Sequence, residues 1–105
     1  MQLTPKRSRE AGPLAALTHG AMGALVDTYS PQVHEYCRKF AKDGDELDDL
    51  TQATWVRAWE ARAQYRGNGS LAGWLMRIAR TVCLRFAAEQ RRYSVIITIA
   101  AEEPP

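Results

Sequence analysis

Residues 67–92 read GNGSLAGWLMRIARTVCLRFAAEQRR, and the architecture turns on this stretch. The short loop Gly67-Asn68-Gly69 runs into Ser70, whose side-chain oxygen suits the orphan N–H groups of a starting helix. Beyond it, Leu71, Trp74, Leu75, Ile78, Val82 and Phe86 recur at steps of three or four. At about 100° per residue these six share one face, which predicts a helix with that face against a core. Arg77, Arg80, Leu84 and Arg91 fall on the opposite side, with Thr81 at the border. One helix therefore joins an apolar face to a basic one, with a loop of small residues at its start.

Immediately upstream, DELDDLTQATWVRAWEARAQY begins at Asp45, which reads as the cap of another helix. Leu47, Leu50, Thr54, Ala58 and Ala61 share its core face. Asp48, Asp49, Gln52, Trp55, Val56 and Trp59 form a broad second flank. Acids and an amide beside tryptophans suit a protein-docking surface, because aromatic side chains anchor interfaces. The competing reading has the tryptophans extend the core while the acids favour the positive helix N-terminus. Further back, residues 21–29 suit a first helix. Ser30-Pro31 is expected to break it and start another, with Pro31 at the first helical position. Val33, Tyr36, Cys37 and Phe40 continue an apolar stripe, and Lys42-Asp43-Gly44 reads as a stop.

The expectation is an all-α fold, a small bundle of about four helices over residues 21–92. Residues 1–20, with Pro5, Gly12, Pro13 and the cluster Lys6-Arg7-Ser8-Arg9, read as a flexible arm. Residues 93–105 read as a tail or the start of an interdomain linker. Their first part, YSVIITI, is β-branched and strand-like. Three placements are open to it: packing on the bundle, pairing with another chain, or beginning a linker.

A length of 105 residues suits one small domain. Formal net charge is only +2, so the chain is no polycation, and the distribution of charge matters more. Residues 45–63 hold the acids Asp45, Glu46, Asp48, Asp49 and Glu60 against Arg57 and Arg62. Residues 70–92 hold Arg77, Arg80, Arg85, Arg91 and Arg92 against Glu89 alone. Neighbouring helices of opposite sign suggest two partners, or one partner and one nucleic acid. Cys37 and Cys83, both within helical patterns, read as buried free thiols. No apolar run approaches the roughly 18 residues of a membrane span, and no secretory signal is apparent, which fits a cytoplasmic protein.

The residues offer little for catalysis. His34, Cys37 and Cys83 lack the paired spacing of a zinc site. Asp48 and Asp49 are adjacent, so on a helix they point about 100° apart and do not share one bond as acid and base. GNGS is too short for a phosphate-cradling loop. No enzyme activity, metal or cofactor is expected. Nucleic-acid binding has more support. Arg77, Arg80 and Arg91 form a stripe suited to phosphates. The adjoining Tyr65, Arg66 and Asn68 supply the ring, guanidinium and amide that hold an unstacked base. The competing reading is a solvated arginine face.

DELDDLTQATWVRAW followed by YRGNGSLAGWLMRIARTVC resembles region 2 of the extracytoplasmic-function (ECF) group of bacterial sigma factors, in the sigma-70 family. The upstream LVDTYSPQVHEYCRKF is similar to that domain's first segment. The resemblance covers residues 25–92. It implies a transcription initiation factor domain that binds and does not catalyse. Asp48, Asp49, Gln52, Trp55 and Trp59 match the segment that docks on the clamp helices of the RNA polymerase β′ subunit. Residues 66–70 match the loop that captures a flipped base of the non-template strand in the −10 promoter element. Arg77, Arg80 and Thr81 match the helix facing that DNA. The chain departs from the family pattern at Ala53 (usually Glu), Thr81 (usually Asn) and Arg85 (commonly Asp). Ala53 removes one charged contact to polymerase, and Thr81 alters the base pocket. The family's helix-turn-helix domain for the −35 element is not among these residues, which implies poor binding to duplex promoters. An anti-sigma protein is a further implied partner. The alternative function is an interaction module that binds polymerase or an anti-sigma protein without reading DNA.

Overall fold

The computed structural model describes residues 18–67 and 69–102, so residues 1–17 of the expected arm 1–20, Asn68, and residues 103–105 of the expected tail lie outside the described residues. Three α-helices, joined by a 3₁₀ turn, make up the described chain: α1 (His19–Arg38), α2 (Gly44–Glu60), the turn Arg62–Gln64, and α3 (Leu71–Glu102). Each α-helix packs on the other two. The all-α class agrees with the expectation, but among the described residues there are three α-helices rather than four.

The missing boundary is at Pro31, which lies inside α1 and does not start a new helix. Proline removes one N–H and crowds the preceding turn, which normally disfavours a helix interior. Here Pro31 and Asp27, whose carbonyl is left without a donor, are both exposed to water. Packing on both sides of the break holds the helix together. Met22, Leu25 and Tyr29 enter one core cluster, and Val33 and Cys37 enter the other.

Two further expectations are corrected. The cap of α2 is Asp43, two residues before Asp45, and its carboxylate accepts from the Glu46 backbone N–H (2.9 Å). This register lets the Glu46 carboxylate accept in turn from the Lys42 N–H (2.9 Å), a reciprocal closure unavailable to a cap at Asp45. Residues 93–99 are helical, not strand-like, because α3 runs on to Glu102. Extending an existing helix adds one hydrogen bond per residue fixed, whereas a lone strand has no partner for its backbone. At α1 the cap is Thr18, whose hydroxyl accepts from the Ala21 N–H (3.1 Å).

The centre of the core is made of small and soft side chains. Val33, Cys37, Thr54, Ala79 and Cys83 have no exposed surface. Thr54 donates to the Leu50 carbonyl (2.8 Å), which satisfies its buried hydroxyl. The two thiols, free and buried as expected, lie 3.7 Å apart across α1 and α3. Burial pushes the Cys83 thiol from 9.0 up to about 12, helped by charge repulsion from Cys37 and the hydrogen bond to it. The folded pKa is raised, so this contribution to stability is complete below about pH 9. It is lost as pH climbs toward 12, where the unfolded chain releases the proton first. The unfolding free energy from urea titrations should therefore fall over that window, by up to about 1.4 kcal/mol per pH unit for one group. Cys83→Ala should show a shallower decline, and equal slopes in the two proteins would contradict the shifted thiol.

Candidate functional site

The loop after α2 is shaped by two glycines in the left-handed region, Gly67 (φ 84°) and Gly69 (φ 75°). Side-chain-bearing residues rarely adopt that conformation, so the tight turn requires them. Tyr65 fastens the loop: its hydroxyl donates to the Gly69 carbonyl (3.1 Å), and its ring lies tilted on Trp74 (5.4 Å). The loop then enters α3 through Ser70, whose Oγ accepts from the Gly73 N–H (2.9 Å), the cap expected from the sequence.

Beside this loop, α2, the 3₁₀ turn and α3 enclose a cleft of about 180 Å³. Trp74, Ile78 and Ala61 supply its apolar surface, and Arg57, Gln64, Arg77 and Thr81 its polar groups. Arg77 and Thr81 were candidates from the sequence. Arg57 and Gln64 were not. Arg57 lies half a helical turn round from Asp48, so a helical wheel puts it away from the acidic flank, a signal masked by the acidic average of its segment. Gln64 sits in the 3₁₀ turn, where helical periodicity does not apply. Thr81 donates to the Arg77 carbonyl (3.1 Å), which fixes its hydroxyl at the cleft wall.

Arg66, Ser70, Arg77, Arg80 and Arg91 are all exposed. Among the described residues the salt bridge found is Lys42–Glu46 (3.8 Å), so these arginines are not paired internally. Tyr65, also a candidate from the sequence, is half-buried with its ring against Trp74. Two exposed guanidiniums on different helices around one small, partly apolar cleft form a focused positive site.

A second feature lies between α1 and α2. An apolar groove of about 270 Å³ is lined by His19, Met22 and Val26 of α1 and by Gln52, Trp55, Val56 and Trp59 of α2. It gathers three of the five residues expected to dock a protein. The other two, Asp48 and Asp49, are exposed one turn earlier on α2 and give the groove an acidic approach. The two readings of the tryptophans turn out to be compatible, since both are half-buried. Trp55 touches both core clusters, and Trp59 touches one, while each also lines the groove. Trp59 is further held by His19, stacked at 4.4 Å, and by the Arg62 guanidinium 3.7 Å from its ring centre. Arg62 donates to the Trp59 carbonyl (2.7 Å) as well, so its charge serves the fold.

No group of three or more metal-binding side chains occurs among the described residues. No described helix is long and apolar enough to cross a membrane.

The sigma-70 region 2 family profile matches residues 25–93. Among curated proteins, the ECF RNA polymerase sigma factor SigG of Mycobacterium tuberculosis is 33% identical over 73 residues, which is 70% of this chain and 20% of that protein. The ECF RNA polymerase sigma factor SigX of Bacillus subtilis is 28% identical over 67 residues, 64% of this chain and 34% of that one. The chain thus spans 20% and 34% of the length of these relatives. No solved structure matches it.

Proposed function

The chain belongs to the sigma-70 region 2 family, and from that premise we propose that it works in transcription initiation, gripping RNA polymerase with the α2 flank and melted promoter DNA with the α2–α3 cleft. The observation that carries the DNA reading is the cleft itself. At about 180 Å³ it is smaller than the pockets of drug-sized ligands and suits a single flat ring. Trp74 offers a ring surface for a base, and Gln64 and Thr81 offer hydrogen-bonding groups for its edge. Arg57 and Arg77 at the cleft, with Arg66 and Arg80 beside it and Arg91 further along α3, meet the flanking phosphates. Ser70 ends the glycine-turned loop next to it, and Asn68, a further candidate from the sequence, lies outside the described residues. The strand is the non-template strand of the −10 element. Holding its flipped base offsets the few kcal/mol of unstacking and so favours the open promoter.

The polymerase reading rests on the groove and its acidic approach. Gln52, Trp55 and Trp59 meet apolar side chains of the β′ clamp helices, and Asp48 and Asp49 meet their bases. Opposite charges at such a rim steer association and fix register. Asp49→Arg is expected to weaken association with core polymerase about tenfold while the melting curve stays put, because Asp49 is exposed. Undiminished association of this variant would remove Asp49 from the interface.

A second reading, a module that binds polymerase or an anti-sigma protein without reading DNA, is favoured by Ala53 and Thr81, which depart from the usual pattern. Titration with single-stranded oligonucleotides of differing sequence separates the two. Sequence-selective binding supports the first, and no binding at low salt supports the second. Binding without sequence preference makes the chain a general single-strand binder.

A further inference from the structure

The last part of α3 leaves the bundle. Cys83 is its last buried residue and Ala88 its last half-buried one, while every residue from Glu89 to Glu102 is exposed. At about 1.5 Å per residue, positions 92–102 extend roughly 15 Å into solvent. They carry Tyr93, Val95, Ile96, Ile97 and Ile99, each about half exposed or more. An exposed run of this kind marks an interaction surface. Five of the six residues 94–99 are β-branched, a composition with little intrinsic support for an unpacked helix.

The spacing defines what covers it. Arg92, Val95, Ile99 and Glu102 recur at steps of three, four and three, so they form one stripe along the helix, flanked by Ile96. Laid antiparallel on the same stripe of an identical helix, Val95 falls opposite Ile99, and Arg92 falls opposite Glu102. Two apolar layers are then closed at each end by an arginine–glutamate layer. A parallel arrangement instead sets Arg92 against Arg92 and Glu102 against Glu102, which is repulsive. In the antiparallel register the second copy's Glu102 reaches only Arg92, short of the residues that pack into the bundle, so the two bundles lie at opposite ends without collision.

We propose that this segment is a self-complementary docking surface, and that a second copy of the chain pairs with it antiparallel through Val95 and Ile99, in register with Arg92 and Glu102. The paired surface is short and falls below the size of standard stable interfaces, so the dimer is weak and concentration-dependent. Helix content in the segment is coupled to its formation, because packing supplies the support that its composition lacks.

Sedimentation and far-ultraviolet circular dichroism of the full 105-residue chain, from about 1 μM to a few hundred μM, provide the test. The expected result is a shift from monomer toward dimer, with helix content rising alongside. Arg92→Glu and Glu102→Arg, each at an exposed position that leaves the bundle intact, should each weaken association roughly tenfold, since both end layers become like-charged. The double variant Arg92→Glu/Glu102→Arg should regain it. A chain that stays monomeric throughout overturns the proposal. So does association that ignores the single reversals, which marks unspecific apolar adhesion, or a double variant that fails to recover.

Discussion

Replacing Arg57 and Arg77 together by glutamate is expected to weaken single-stranded oligonucleotide binding roughly a hundredfold at low salt. Both guanidiniums line the same 180 Å³ cleft from different helices. Their fields add where the apolar wall of Trp74 and Ile78 keeps the local dielectric low, and reversal replaces that attraction with repulsion. The salt dependence should flatten too, by about 0.7 in the logarithmic slope for each phosphate of the single strand that is no longer neutralised. Both residues are exposed, and neither has an ion-pair partner among the described residues, so the melting temperature should move little. Fluorescence anisotropy over a salt series checks affinity and slope together. Unchanged binding with an intact fold would detach the cleft from nucleic acid.

Leu75→Ala is expected to lower stability by about 2–5 kcal/mol. Leu75 is 1% exposed and sits in the cluster with Met22 of α1 and Ala58 of α2, so one side chain joins all three helices. Against a total of about 5–15 kcal/mol for a typical domain, such a loss is a large fraction. For a domain this small, each kcal/mol lowers the melting temperature by about 4–8 °C, so a drop of about 8 °C or more follows. Leu84→Ala, on the same helix but 44% exposed, is the control and should change the midpoint far less. Similar effects from the two variants would contradict the orientation of α3. Urea unfolding followed by tryptophan fluorescence measures both.

The orientation of α3 was only partly legible in the sequence. The large residues of its stripe mark the correct side, but the fully buried positions are Leu75, Ala79 and Cys83. Ala79 and Cys83 carry little hydrophobic weight, and their small volume is what lets two neighbouring helices approach there. Trp74, Ile78 and Phe86 sit half-buried at the flanks. Ser70 was recognisable because a cap depends on its own residue and the next turn. Pro31 misled because local rules for proline take no account of packing on both sides. Residues 93–99 misled because β-branched composition competes with the momentum of an existing helix. For the candidate site, Arg77 was found by periodicity, and Thr81, at the border of the same face, by the family resemblance. Arg57 and Gln64 reach the cleft only through the packing of α2 on α3, which no local pattern records.

Pro31 divides α1 into two mechanical halves. The half after it carries Val33 and Cys37, fully enclosed in the centre of the domain. The half before it carries Met22 and Val26, one wall of the groove that faces outward. With no N–H at position 31 to tie the two turns, the outer half pivots at smaller energetic penalty than an unbroken helix would. The width of the groove is thereby tied first to the cluster of Met22, Ala58 and Leu75, and only through Trp55 to the cluster around the two thiols. A partner seated against Trp55 and Trp59 is met by a tilt of that wall, which repacks the side chains around Leu75.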